Sequence, residues 1–405
     1  MLIALILAAA SQAQAAASPS QRACALPRST PAAEGLAPAR VQEFMDSARA
    51  TGSDAIVILK NGKLVAEWYS DSGHTPTQTM SATKSIVGLA VGRLIHDGLI
   101  DSLDQPVWTI YPEWRQGKKR QITIRNLLTH TSGLQDVPSD AAEIEPAPDA
   151  VQLALAAELM TAPGMAWFYS NKATNLLSGI VQKRSGMSLD EYVRKSFLTP
   201  MCITAASWPF RDKAGTPYGM AGLSLGAIDF ARFGQLMLDG GTWDGVRLLP
   251  ERWVAQSVVA SQAIEPRYGL MWWVEAEWTQ STIDAALVRS WTEARIPDEI
   301  IRALAPLVGK HFGAEWRGEW VKHLAPVGGM PRFTMLAREA GVPTRRVIVG
   351  PSRGYSANGS LGQWLLVLPE ERLVIARQLK RRPGLTERNF FADMPAVAMR
   401  LLTHR

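Results

Sequence analysis

Three short segments carry side chains suited to acyl transfer. The first is Ser81-Ala82-Thr83-Lys84. A serine hydroxyl is a weak nucleophile until a neighbour takes its proton. Residues three apart on a helix share one face, so the Lys84 amine can reach the Ser81 hydroxyl. The residues that follow (Ile86, Val87, Leu89, Ala90, Val91, Leu94, Ile95) are apolar nearly all round the helix, and the run stops at His96-Asp97-Gly98. Such a helix must be buried. A lysine on its first turn has little solvent to reach and needs a polar cavity. There it can accept a proton from serine, or stay charged and favour the ionised form of another base. The helix N-terminus adds partial positive charge where an oxyanion would develop. Taken alone, the spacing also describes a serine cap with an exposed lysine; the apolar helix behind it argues for a site.

The second segment is Tyr169-Ser170-Asn171, which follows Trp167-Phe168 and precedes a helical stretch from Thr174. A phenol at a loop–helix junction, held near a cation, can relay a proton from Ser81 to a leaving group. The Asn171 amide can hydrogen-bond both Lys84 and a substrate carbonyl. Alone, the trio reads as a capping turn, and Lys172 just beyond it is expected at the surface. The third segment is Ala357-Asn358-Gly359-Ser360-Leu361-Gly362-Gln363. Its glycines let a substrate lie close to a strand edge, and the Ser360 N–H can join that of Ser81 in an oxyanion hole. Asn358, Gly359 and Ser360 are therefore expected to bind substrate, although a bulge or plain turn explains the segment equally well in isolation.

The elements that must position these residues follow from periodicity. Two apolar runs at 54–59 and 64–69 flank Asn61-Gly62 and predict a hairpin. A second strand pair is expected at 363–367 and 373–376, with a short helix from about Pro395. Between these ends the chain reads as helical at 85–96, 124–128, 151–160, 174–184 and 227–238. The simplest assembly is α/β of the α+β kind: one antiparallel sheet built from both chain ends and flanked by helices, with a mostly helical subdomain inserted. This divides the chain into a sheet-containing subdomain at 28–105 plus 350–405, a helical subdomain at 106–274, and an insertion at 275–349. The insertion alternates weakly and reads as a lid, a specificity loop or a surface excursion.

At 405 residues, 47% hydrophobic and 20% charged, the chain can bury a large core, which excludes disorder as its main state. Its 43 basic and 37 acidic residues give a net charge of +6. Apart from Lys118-Lys119-Arg120 and Lys380-Arg381-Arg382 the basic residues are scattered, which argues against nucleic acid as a partner. The apolar stretch at 1–15 ends in Ala13-Gln14-Ala15 and predicts a signal peptide, although no basic residue precedes it. It is too short for a stable membrane span. Export to the periplasm or beyond would place Cys24 and Cys202 where they can pair or remain thiols. The six histidines show no paired ligand spacing, so neither a metal nor another cofactor is expected.

Together the three segments, in this order, resemble the serine β-lactamase and penicillin-binding-protein superfamily, in particular its class C-like branch, which also holds family VIII esterases and 6-aminohexanoate-dimer hydrolases. The likeness extends through 80–85 (MSATKS), 98–107 (GLIDSLDQPV), 122–134 (ITIRNLLTHTSGL), 169–171 (YSN) and 222–233 (GLSLGAIDFARF). It implies a β-lactamase/transpeptidase-like fold with the site between the sheet and the helical subdomain. It also implies Ser81 as the acylated serine, Lys84 as its partner, Tyr169 as general base and Asn171 as a ligand of substrate and lysine, with packing and turn roles for His130 and Thr131. True β-lactamases begin the third motif with lysine, whereas this chain has Ala357, which removes a partner for a substrate carboxylate. The expectation is a hydrolase of a small-molecule ester or amide. β-Lactamase or D-Ala-D-Ala carboxypeptidase activity, and a penicillin-binding sensor that does not turn over, are the alternatives. Gly222-Leu223-Ser224-Leu225-Gly226 also matches the nucleophile elbow of α/β-hydrolases, but no buried strand leads into it, and Ser224 reads better as the cap of the helix from Ala227.

Overall fold

The computed structural model describes residues 24–71, 75–136, 140–385 and 394–402; the signal peptide expected at 1–15 lies outside them. Six antiparallel strands, β1 (Ala55–Lys60), β2 (Lys63–Tyr69), β3 (Trp273–Ala276), β4 (Ser352–Gly359), β5 (Gln363–Leu368) and β6 (Leu373–Gln378), form a sheet in the order β2-β1-β6-β5-β4-β3. Successive side chains of a strand point to opposite faces, and here both faces are buried, which is why the central strands read as unbroken apolar runs. Ile56, Ile58, Leu366 and Ile375 pack on one face with Val41 and Phe44 of helix α1 (Pro38–Ala50) and Ala398 of Met394–Met399. On the other face Val57, Leu59, Leu365 and Val374 pack with helices α2 (Thr83–His96), α3 (Asn171–Ser185) and α4 (Ala227–Leu238) in one large core.

The hairpin turn is where the sequence puts it, with Asn61 at φ 53° and Gly62 at φ 76°, the left-handed pair that such a turn requires. Cys24 and Cys202 are joined by a disulfide. Arg232 of α4 donates to the carbonyls of Cys24 and Met201, at 2.7 and 2.5 Å, and so ties both ends of that bridge to the helix.

Three expectations need correction. Lys172 is fully buried, its Nζ 2.7 Å from Glu143 Oε1 and 2.8 Å from Gln135 Oε1, because Gln135 and Glu143 close over the first turn of α3. Ser224 does not cap a helix: it sits in a short strand paired with Gln78, and Gly226 takes the cap position of α4. The stretch after β3 is not irregular. It folds into helices α5 (Ala285–Glu293), α6 (Asp298–Leu304), α7 (Trp316–Leu324) and α8 (Gly329–Glu339), with a three-stranded sheet in which 346–349 and 311–312 flank 279–282. Its own core includes Leu287, Trp291, Ile300, Trp320 and Phe333. The subdomain leaves and rejoins the main sheet through a narrow neck, where Glu277 N donates to Pro351 O and Gly350 N to Trp278 O, both at 2.9 Å.

Candidate active site

Ser81 lies in a single 3-10 turn, Met80–Ala82, that leads into α2, and the preceding Met80 holds a left-handed φ of 52°. Backbone held this way costs free energy unless its surroundings enforce it. The 220–225 segment does so: Thr79 N and Oγ1 both donate to Leu223 O, at 2.8 and 2.9 Å, and Leu223 N donates to Thr83 Oγ1 at 3.3 Å. The stretch that mimics a nucleophile elbow therefore supports a different serine.

Lys84 is 2% exposed, and its Nζ donates to Ser81 Oγ at 3.2 Å and to Met220 O at 2.8 Å. Met220 is fixed in turn by its N–H, which donates to Asn175 Oδ1 of α3 at 3.1 Å. The Tyr169 ring centroid is 4.7 Å from Lys84 Nζ. The structure thus brings Ser81, Lys84 and Tyr169 together. Asn171 opens α3, one residue past the cap Ser170, but the bond expected between it and Lys84 is not among those Lys84 makes.

Behind Tyr169 stands His130, its ring 4.5 Å away. The Ser170 N–H donates to His130 Nδ1 at 3.1 Å, so the ring proton belongs on Nε2, which faces Tyr268 Oη at 3.1 Å. Burial, and then the positive charge of Lys84, push the His130 pKa well below its ordinary value, so the ring is neutral. Burial, and then Tyr169, push the Tyr268 phenol well above its ordinary range and keep it protonated. Trp273 stacks on Tyr169 at 6.4 Å and an interplanar angle of 18°.

The third segment is the end of β4. Its pairing with β3 stops at Ser356, opposite Trp273, while Ala357, Asn358 and Gly359 continue to pair with β5. One edge of those three residues is left without β3 beside it. A side chain at Gly359 would put its Cβ 2.8 Å from Ser81 N and 2.5 Å from Thr79 O, so glycine is what lets this edge meet the Ser81 turn. Asn358 is half-buried and Ser360 exposed. The turn carrying Ser360 is pinned by Arg377, which donates to Gly362 O at 2.6 Å, Leu361 O at 3.3 Å and Ser53 Oγ at 2.7 Å. Ala357 is fully buried in the large core and offers no charge.

Sequence reasoning missed the Met220 carbonyl, Asn175, Tyr268 and Arg377. Only Arg377, a charge inside an apolar strand, left a signal. Among the described residues no group of three or more histidine, cysteine, aspartate or glutamate side chains could hold a metal ion, and no helix is long and apolar enough to cross a membrane. A cavity of about 690 Å³ between the inserted subdomain and β3 is lined by neither Ser81 nor Tyr169.

This chain is 26% identical over 245 residues to a 6-aminohexanoate-dimer hydrolase of Paenarthrobacter ureafaciens, covering 56% of this chain and 62% of that protein. A β-lactamase of Mycobacterium bovis superposes with a TM-score of 0.55 at 16% identity, over 89% of this chain and 98% of its own. A class C β-lactamase variant does so with a TM-score of 0.56 at 16% identity, over 89% and 97%. At such identities the structural likeness speaks for the fold alone. The β-lactamase family model matches residues 38–392, and with that match the chain belongs to the β-lactamase family, whose members are generally serine hydrolases.

Proposed function

We propose that this protein is an exported serine hydrolase that cleaves an ester or amide of a small molecule through an acyl-enzyme on Ser81. The observation that carries the reading is the buried Lys84 Nζ, held between Ser81 Oγ at 3.2 Å and Met220 O at 2.8 Å, with the Tyr169 ring beside it. Ser81 Oγ adds to the substrate carbonyl carbon as its proton passes to the Tyr169 oxygen, whose charged form Lys84 stabilises. The charge on the former carbonyl oxygen meets the Ser81 and Ser360 N–H groups, with Asn358 and Asn171 near the substrate. The bond to the leaving group breaks as Tyr169 returns the proton to it. Water then takes the leaving group's place, and the same groups release the acid. His130 is neutral and adds no competing charge.

Ala357, apolar where β-lactamases carry a lysine, weighs against β-lactam or D-Ala-D-Ala substrates. The 6-aminohexanoate-dimer hydrolase relative supports an ester or amide. Export is supported by the Cys24–Cys202 disulfide, a bond favoured in oxidising compartments. The test is intact-mass spectrometry after incubation with a fluorophosphonate and with a panel of esters, amides and β-lactams. One adduct on Ser81 with multiple ester turnovers is expected. A stable ester adduct without turnover would favour a sensor, and labelling at Ser224 would overturn the assignment. Mass analysis of the mature N-terminus after periplasmic extraction tests export.

A further inference from the structure

A cleft of about 400 Å³ adjoins Tyr169, with Trp167 and Trp273 on the main-fold side and α8 and the 342–347 segment of the inserted subdomain opposite. Arg338 and Arg345 line it from the inserted side. Arg338 lies 5.5 Å from the Phe168 ring, and its Nε is buried with no hydrogen-bond partner. Arg345 lies 3.9 Å from the Trp316 ring and donates from Nε to Ser281 Oγ at 3.1 Å, which leaves its terminal nitrogens without a described acceptor. Neither guanidinium forms an ion pair among the described residues; Asp136 attracts Arg338 from beyond contact distance. Arg267 also borders the cleft, but Glu265 neutralises it with two bonds of 2.7 and 2.6 Å.

Both guanidiniums have lost hydration by burial, and Arg345 is opposed by the charge of Arg267 and only partly countered by Glu265, a cost that an anion bound beside them would offset. A guanidinium offers a planar fork of donors that matches a carboxylate. The cleft is lined by Tyr169 and not by Ser81, so a leaving group that takes its proton from Tyr169 and extends past that ring would enter it. We infer that Arg338 and Arg345 form a binding site for a carboxylate carried by the leaving group of the substrate. The insertion thereby supplies the cation that position 357 lacks, from a different direction. The inference rests on the reading of Ser81 as the acylated serine.

The test compares butanoyl esters of a ladder of short ω-hydroxy acids with their neutral carboxamides. The carboxylate series should be preferred in kcat/KM by about tenfold or more at its best length, the scale of a hydrogen bond to a charged group. Arg338→Gln with Arg345→Gln should bring that ratio close to one, while Arg338→Lys should keep part of it. Calorimetry of the carboxylate esters on Ser81→Ala protein reads the cleft without turnover: binding should weaken with added salt and with Arg338→Gln. If Ser81 is labelled by fluorophosphonate and the carboxylate preference is absent, or follows a carboxylate on the acyl side, this inference fails and the hydrolase reading stands. If Ser81 is not labelled, the hydrolase reading fails, and calorimetry still decides whether the cleft holds a carboxylate.

Discussion

The main fold and the inserted subdomain face each other across the cleft beside Tyr169, and they are built differently. In the main fold the side chains gathered around Ser81 are held by hydrogen bonds between distant segments: Lys84 to Met220, Met220 to Asn175, Thr79 to Leu223, Arg377 to Gly362. Each such bond is costly to leave unmade once buried, so the geometry is shared across the core and hard to alter locally. The inserted subdomain has its own apolar core, joins through a two-stranded neck, and lines the cleft beside Tyr169 with α8 and the 342–347 segment. The contrast suggests a division of labour in which the main fold fixes the reaction and the insertion adjusts what reaches it.

The sharpest way to break that comparison is at its centre. Ser81→Ala and Lys84→Ala should each lower ester turnover by about 10³-fold or more, measured as steady-state kcat/KM, with the melting temperature little changed. An intact rate in either variant would remove that residue from the chemistry. Next in size, Trp320→Ala should cost the inserted subdomain about 3–5 kcal/mol. Hydrogen exchange should then show protection lost over 285–339 and kept in β5 and β6; loss in both would mean one cooperative unit. Arg377→Met should destabilise the main fold by about 2–4 kcal/mol in urea titrations, by leaving Gly362 O and Ser53 Oγ without their donor.

His130 sharpens the comparison through pH. It titrates near its ordinary 6.5 when unfolded and well below that when folded. Below about pH 6.5 the unfolded chain therefore binds a proton that the folded chain does not, and stability falls as pH drops, by about 1.4 kcal/mol per unit at most until the folded pKa is reached. His130→Gln should remove that slope from urea midpoints recorded across the range. The smallest effect is expected from replacing 278–350 with a tight turn between Glu277 and Pro351: Ser81 labelling by fluorophosphonate should stay within about threefold of the parent. A large loss would make the insertion part of the catalytic machinery.

Local pattern made a good part of this legible. The apolar run after Lys84 dictated a buried helix, and Asn61-Gly62 dictated a hairpin turn, because both depend on neighbours in sequence. The inserted subdomain was illegible because its helices are short and separated by Pro297, Pro306, Pro326 and Pro343, so no period runs long enough to be read. Lys172 misled for another reason: its burial depends on Glu143 and Gln135, which approach it only in the folded chain.

By itself, then, the sequence determined which residues can do chemistry and which turn or helix presents each of them, since those are matters of spacing a few residues long. The tertiary structure alone decided how they meet. The Met220 carbonyl lies 136 positions from Lys84, and a backbone oxygen leaves no mark in a sequence. The Ser170 N–H reaches His130 Nδ1 across 40 positions and sets which imidazole nitrogen carries the proton, a choice that two residue names cannot encode.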